Sequence, residues 1–206
     1  LGAFYKTFEN PIEIVQFLSD PGSFQPRNVG NGTVLGVELE FRKSLKFISP
    51  RLEKFLWTSN LTLTESQISM SATEKRSRQL TAREGQKIGD TRDMAGQAPY
   101  IVNTGIAYSD FNTGWEAGIY YNVQGPTLNM VGFGNRTDTY AVPFNSLNLN
   151  VNKTFGADER IRTSLGVQNL LNDKREFIFS SYGAQDQFFT QLAPGMRVNF
   201  SVGFSF

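Results

Sequence analysis

The chain has 206 residues, with 20 Lys and Arg against 19 Asp and Glu, and it has neither cysteine nor histidine. This composition argues against a general nucleic-acid binder, which carries a basic excess, and it excludes disulfides, zinc sites of the Cys/His kind and catalysis by an imidazole base. No segment reaches the ~18 consecutive apolar residues of a spanning helix. No cofactor and no metal site is predicted.

Alternating apolar and polar residues predict eight strands, because successive side chains of a strand point to opposite faces. In chain order these strands are Gly2–Phe8, Val34–Leu45, Lys54–Ile68, Pro99–Tyr108, Gly114–Gln124, Asn145–Phe155, Arg160–Asn169 and Gly195–Phe206. In the last one, Val198, Phe200 and Val202 share one parity, and Arg197 and Asn199 share the other. One apolar and one polar face fit a strand between lipid and a lumen, so the predicted fold is an all-β, antiparallel transmembrane barrel.

The connections between these strands alternate in length. Those after the first, third, fifth and seventh strands have on the order of 20 residues or more, whereas Ser109–Thr113 and Gly156–Glu159 are as short as hairpin loops. Long external loops and short periplasmic turns are typical of outer-membrane barrels. The alternation therefore predicts the outer membrane of a Gram-negative bacterium, with the carboxy terminus in the periplasm.

A soluble β-sandwich binding module is the alternative, since its strands also alternate. Such a protein would purify without detergent. The alternating loop lengths and the scarcity of apolar residues on the second face favour the barrel.

The parity of each strand assigns its side chains to one of two surfaces. The polar, lumen-facing set is Glu38, Glu40, Arg42, Asn148, Asn150, Asn152, Arg162, Gln168, Arg197 and Asn199. The apolar parity also carries aromatic residues near the periplasmic strand ends, which predicts a lower aromatic girdle. Its members are Phe55, Trp57, Tyr108, Trp115, Phe155, Phe204 and the terminal Phe206.

Two charged groups invite a chemical interpretation. Glu38 and Glu40 lie about 7 Å apart on one strand face, a spacing that a glycosidase could use. Arg42 on the same face balances their charge, and no pocket is indicated. No enzyme is therefore predicted.

The connection between the third and fourth strands carries a basic patch, which consists of Lys75, Arg76, Arg78, Arg83 and Lys87. Contact with lipopolysaccharide phosphate or an anionic ligand is one interpretation; a solvated, mobile loop is favoured because acidic residues interleave.

The long connections also carry aromatic residues and a glycine-rich segment. Phe133, Tyr140, Tyr182, Phe188 and Phe189 are candidate ligand-binding residues, with packing between loops as the alternative. Gly132–Asn135 does not lead from a strand into a helix, so an external turn is favoured over a phosphate cradle.

Several segments resemble the barrel of TonB-dependent outer-membrane receptors, and their sequences are similar to those of receptors from the Bacteroidetes group. They are Phe4–Glu13 (FYKTFENPIE), Gly36–Phe41 (GVELEF), Gly96–Tyr108 (GQAPYIVNTGIAY), Leu165–Asp173 (LGVQNLLND) and the ending FSVGFSF. The resemblance implies a barrel of twenty-two strands with an amino-terminal plug and a coupling box. It implies energy-coupled uptake of a scarce nutrient, such as an iron chelate, a cofactor or an oligosaccharide.

The eight predicted strands fit only the carboxy-terminal third of such a barrel, so residues 1–206 are expected to belong to a larger receptor whose plug and coupling box lie elsewhere. The expected partners are outer-membrane lipid and lipopolysaccharide, the other strands and plug of the same receptor, the TonB complex acting through that plug, and the barrel-assembly machinery, which would recognise Phe206. A standalone eight-stranded barrel, acting as an adhesin or structural protein, is the alternative. In that barrel the first and eighth strands would pair.

Overall fold

The structure, a computed structural model, describes residues 1–16, 23–156 and 160–205, and most of these residues are in antiparallel strands. The strands are β1 (Gly2–Phe8), β2 (Ile12–Gln16), β3 (Phe24–Asn28), β4 (Gly32–Ser44), β5 (Phe55–Ser69), β6 (Thr91–Arg92), β7 (Tyr100–Asp110), β8 (Trp115–Gln124), β9 (Thr127–Met130), β10 (Asp138–Ala141), β11 (Ser146–Phe155), β12 (Ile161–Gln168), β13 (Arg175–Ser180), β14 (Gln187–Leu192) and β15 (Arg197–Phe204). Helix α1 spans Ala72–Leu80. Among these residues there is no helix with the length and apolar character to cross a membrane.

Eight of the strands form one continuous antiparallel sheet in the order β1-β4-β5-β7-β8-β11-β12-β15, with β6 added beside β5. These are the eight strands that the sequence predicts, with ends that differ by a few residues. The second strand, for example, ends at Ser44 instead of Leu45, because the Ser44 hydroxyl accepts a hydrogen bond from the Lys46 N–H and starts a 3₁₀ turn. The predicted antiparallel fold class is therefore confirmed.

The pairing register keeps the two faces of this sheet distinct. One row across four strands is wholly apolar and consists of Leu39, Leu61, Val102 and Val123. The adjacent row on the opposite face is wholly polar and consists of Glu40, Asn60, Asn103 and Asn122. If one strand shifted by one residue against its neighbour, its apolar side chains would lie on the polar face. The alternation of apolar and polar residues therefore specifies the pairing register.

The apolar face is open in the structure. Leu39 is 44 % exposed, Ile119 42 % and Phe200 69 %. In a β-sandwich, side chains at these positions would be buried against a second sheet. The exposed face therefore speaks against the sandwich and is the surface that a lipid bilayer would cover.

The sheet does not close into a barrel. Among the described residues, β1 pairs only with β4, and β15 pairs only with β12. The pairing between first and last strands that a standalone eight-stranded barrel requires is therefore not seen. Each of these two strands has one edge whose backbone groups lack a sheet partner within the described residues.

Connections at the two ends of the sheet differ in structure. At one end they are short; Asp110 accepts a hydrogen bond from the Asn112 N–H, and Gly114 has φ +68°, which an L side chain rarely adopts. This is the turn predicted at Ser109–Thr113. Residues 157–159 of the other predicted turn, Gly156–Glu159, lie outside the described residues, as does Phe206.

At the opposite end lie four long connections, residues 9–31, 70–99, 125–145 and 169–196. Their described parts contain regular structure where only loops are predicted. The first holds the β2–β3 hairpin, the second holds α1 and β6, and the third and fourth together form a four-stranded sheet, β14-β13-β10-β9. The buried apolar residues also concentrate here. Two clusters lie at this end of the sheet: Val34 and Ile68, near the ends of β4 and β5, pack with Met94, and Val15 packs with Leu128 and Val131.

Candidate functional site

A buried ion-pair chain joins the first three long connections. Arg92 lies between two carboxylates, with Nη2 2.6 Å from Glu13 Oε2 and Nε 2.6 Å from Glu74 Oε1. The Glu74 Oε1 atom also lies 3.2 Å from Arg78 Nε, and Arg78 makes a two-pronged contact of 2.8 and 3.0 Å with Asp138. We call these five residues the ion-pair chain. They tie β2, α1, β6 and β10 into one unit.

The ion-pair chain is best shielded from water at its Glu13–Arg92 end. The Arg92 side chain is 8 % exposed and the Glu13 side chain 3 %. Burial by itself would lower the pKa of Arg92 and of Arg78, but the hydrogen bonds and negative charges of their carboxylate partners raise both above the ordinary arginine value. Both guanidinium groups therefore stay charged, and each buried charge has a partner of opposite sign.

Local sequence explains part of this arrangement. The Ser71 hydroxyl accepts a hydrogen bond from the Glu74 N–H, which caps α1 at its amino terminus. Glu74 and Arg78 are four residues apart, so the helix places them on one face. The interpretation of the basic patch as a solvated, mobile loop is thus wrong for Arg78, and Lys75 pairs with Asp90. Their positive charges already have partners within the chain.

Apolar packing between loops supports the same unit. Val15 forms an isolated bridge with Val131, so the first connection hydrogen-bonds to the third. Tyr140 and Phe133 pack against the cluster that contains these two valines. Burial, helped by the charges of Asp138 and Asp93, raises the pKa of Tyr140 to about 12, which keeps its phenol neutral.

A polar cavity of about 300 Å³ opens between the second, third and fourth connections. We call it the arginine cavity, because Arg78, Arg83 and Arg136 line it together with one carboxylate, Asp138. Its other lining residues are Thr81, Gln86, Ile88, Gly132, Gly134, Asn135, Thr137, Ser180, Ser181 and Tyr182. Gly132–Asn135, predicted as an external turn, forms one wall and turns at residues 134 and 135.

The five predicted ligand-binding aromatics do not form one surface. Phe133 and Tyr140 take part in packing between loops, and Phe189 contacts Phe179 edge-on, with ring centres 5.1 Å apart. Phe188 projects into solvent and is 64 % exposed. Tyr182 alone of the five lines the arginine cavity.

The residues predicted to face the lumen lie together on the polar face of the sheet. On this face Arg162 Nη2 lies 2.8 Å from Glu116 Oε2, and both side chains are largely exposed. Glu38 and Glu40 lie on this face at positions opposite Thr62 and Asn60. That this face lines a lumen stays a prediction.

Tyr120 lies on the polar face and is not among the predicted lumen-facing residues. Side chains at Gly105 or Gly118 would come within 2.4 and 2.5 Å of its ring, so both glycines make room for it. Tyr120 also lines a second cavity of about 620 Å³, together with Asn148, Asn150, Gln168, Arg197 and Arg175. Glycines on the polar parity of adjacent strands are the signal that could have revealed it.

The predicted girdle residues that the structure describes, which exclude Phe206, share the apolar face near the short-turn ends of their strands. The rings of Phe55 and Tyr108 lie 4.9 Å apart, and the ammonium of Lys153 lies 5.2 Å from the centre of the Trp115 ring. Phe41, which is not among the predicted girdle residues, lies on the same face, and its ring centre is 4.7 Å from that of Trp57. The location of these rings at a membrane interface stays a prediction.

A group of hydrogen bonds anchors the start of the fourth connection. Asp173 Oδ2 accepts from the Asn145 N–H at 2.7 Å and from its side chain at 2.9 Å, and the first of these bonds is the main reason why the pKa of Asp173 is lowered. Asn169, at φ +54°, donates to the carbonyls of Asp173 and Gly195. The segment Leu165–Asp173 therefore holds the third and fourth connections together where the strands end.

Comparison with known families gives one match. The family model described as TonB dependent receptor-like, beta-barrel, matches residues 1–170. No curated protein and no solved structure matches the chain.

Proposed function

Because the chain belongs to the TonB-dependent receptor β-barrel family, whose members are outer-membrane receptors and transporters rather than enzymes, we propose that it serves the energy-coupled uptake of a scarce nutrient. An iron chelate, a cofactor and an oligosaccharide are the candidate nutrients. The observation that carries the proposal is the family match over residues 1–170. The sheet agrees with it, because it has one exposed apolar face, one polar face and structured loops at one end.

The part played by residues 1–206 is that of a wall segment at the carboxy-terminal end of the barrel. An unsatisfied backbone group in hydrocarbon costs several kcal/mol, so the open edges of β1 and β15 require other strands. These would come from the same receptor, and the plug and coupling box would lie in a further part of it. The TonB complex would act through that plug, and the long connections would lie outside the cell.

Uptake tests the receptor proposal directly. Cells lacking the gene should lose high-affinity uptake of one scarce nutrient, and cells that retain the gene but lack TonB should lose it equally. Uptake that continues without TonB would contradict the proposed energy coupling.

Cross-linking tests the wall-segment proposal, because the chain has no cysteine of its own. In the full-length receptor, cysteines at the paired positions Leu165 and Phe200 should be linked by oxidation and serve as the control. Cysteines placed at Ala3 and Val202, on β1 and β15, should stay unlinked, since other strands would separate them. Efficient linking of the second pair would instead support a self-closed, eight-stranded barrel.

Phe206 is proposed as the signal that the barrel-assembly machinery recognises. A full-length receptor without this residue should reach the outer membrane at a lower level than the parent, measured by quantitative blotting of membrane fractions. A Leu171→Ala variant, changed at an exposed loop position, is the control. Equal levels of all three proteins would refute this role.

A further inference from the structure

We propose that the arginine cavity binds a small solute through an oxyanion group, either a carboxylate or a phosphate. This inference rests on the proposed function, and it names the chemical class of ligand that the loop unit would take. Aromatic stacking, the other mode of recognition considered for these loops, is a weaker choice, because only Tyr182 of the five predicted aromatics reaches the cavity.

The first argument is the balance of charge within the cavity. Asp138, its one carboxylate, is already engaged, because it accepts two hydrogen bonds from Arg78 and one from the Gly132 N–H. Among the described residues, neither Arg83 nor Arg136 has a carboxylate within 4.0 Å of its guanidinium group. Two arginines, the exposed Arg83 and the partly buried Arg136, therefore line the same cavity with no carboxylate partner among the described residues.

The second argument concerns the position of Arg136. Arg136 is a partly buried residue, so it is less hydrated than a fully exposed surface arginine. A charge withdrawn from water without a partner is unfavourable, and a bound carboxylate or phosphate would relieve that cost through charge-assisted hydrogen bonds. The same cavity is lined by neutral residues that can hydrogen-bond to the rest of a solute, namely Asn135, Thr137, Ser180 and Ser181.

The third argument is preorganisation. The ion-pair chain holds Arg78 and Asp138, and the Gly134 N–H donates to the Ser77 hydroxyl at 2.9 Å, so the α1 wall and the turn at residues 132–135 are fixed to each other. A site that is already formed loses less conformational entropy on binding. A volume of about 300 Å³ also suits a small solute.

The test uses the full-length receptor purified in detergent, with binding measured by calorimetry. Citrate and pyrophosphate are the anionic probes, maltotriose is the neutral probe, and purified lipopolysaccharide is the lipid-bound source of phosphate. Arg136→Gln and Arg83→Gln should each weaken binding of the better anionic probe at least about tenfold, consistent with the loss of one charged hydrogen bond. Arg136→Lys should restore part of the affinity.

Lys87→Gln is the matched control, because it removes the same charge from an exposed position in the same connection that does not line the cavity. Equal weakening by Lys87→Gln, or maltotriose binding as tight as that of the anions, would overturn the proposal. If lipopolysaccharide bound and the small anions did not, the proposal of a small solute would be overturned, and the phosphate that binds would be that of the lipid. Unchanged unfolding midpoints would show that the variants fold.

This binding assay contains no TonB, so its failure would count against the cavity and not against the proposed uptake. Conversely, TonB-independent uptake by cells would count against the energy coupling and leave the measured affinity of the cavity intact.

Discussion

Replacing Arg92 with methionine should release the long connections from one another while leaving the main sheet assembled. The substitution leaves Glu13 and Glu74 buried without their shared cation, and removing one partner from a buried ion pair typically costs about 3–5 kcal/mol. In the full-length receptor, hydrogen exchange of amides in β2, α1 and β10 should therefore accelerate at least about a hundredfold, whereas amides of β7 and β8 should keep their protection.

Arg162→Met provides the matched control. Arg162 forms an ion pair of 2.8 Å with Glu116, close to the 2.6 Å between Arg92 and Glu13. However, the side chains of Arg162 and Glu116 are 57 % and 43 % exposed. A pair of this kind contributes at most about 1 kcal/mol. If Arg92→Met and Arg162→Met changed loop exchange to the same small extent, the ion-pair chain would not be what holds the loops together.

Replacing Leu165 with arginine should strongly reduce the amount of folded receptor. Leu165 lies in the middle of β12 on the apolar face, between Val151 and Phe200 on the neighbouring strands. An arginine facing lipid near the centre of a bilayer costs about 2–4 kcal/mol. We expect a loss of this size in the free energy of unfolding, measured by denaturant titration in lipid vesicles, and a lower level in the outer membrane.

The neighbouring residue gives the control, since Ser164 lies on the polar face opposite Asn152 and Ser201. Ser164→Arg adds the same side chain one position away, toward a polar surface, and should change the unfolding free energy by less than about 1 kcal/mol. A larger effect of Ser164→Arg than of Leu165→Arg would mean that the faces are assigned the wrong way round.

The strands were predictable because their signal is local. Leu147, Leu149 and Val151 alternate with asparagines within a single strand, and the pleat converts that alternation into two faces without reference to any other segment. Helix α1 could also have been predicted, because Ser71 followed three residues later by Glu74 is a helix-capping pattern. Because the helix is short and rich in charged residues, the segment was predicted as a loop.

The partners of the loop charges were not predictable in the same way. Arg92 and Glu13 are separated by 79 positions, and Arg78 and Asp138 by 60. Glu74, four residues before Arg78, is a partner that the sequence could indicate, but nothing near Arg78 points to Asp138. Arg78 and Arg83 both line the arginine cavity, and of the two only Arg78 pairs with carboxylates among the described residues. Such pairs depend on how separate connections fold over one another.

Alternation along a strand is a property of neighbouring residues, so the eight strands and the two faces of each strand follow from local sequence. The family follows from the segments that resemble the receptor barrel and from the match to residues 1–170. The open edges of β1 and β15 are seen only in the folded chain. The same is true of the buried ion pairs that join the first three long connections, and of the small sheet that joins the third connection to the fourth. The physical reason is that burial and charge pairing depend on segments brought together from distant parts of the chain.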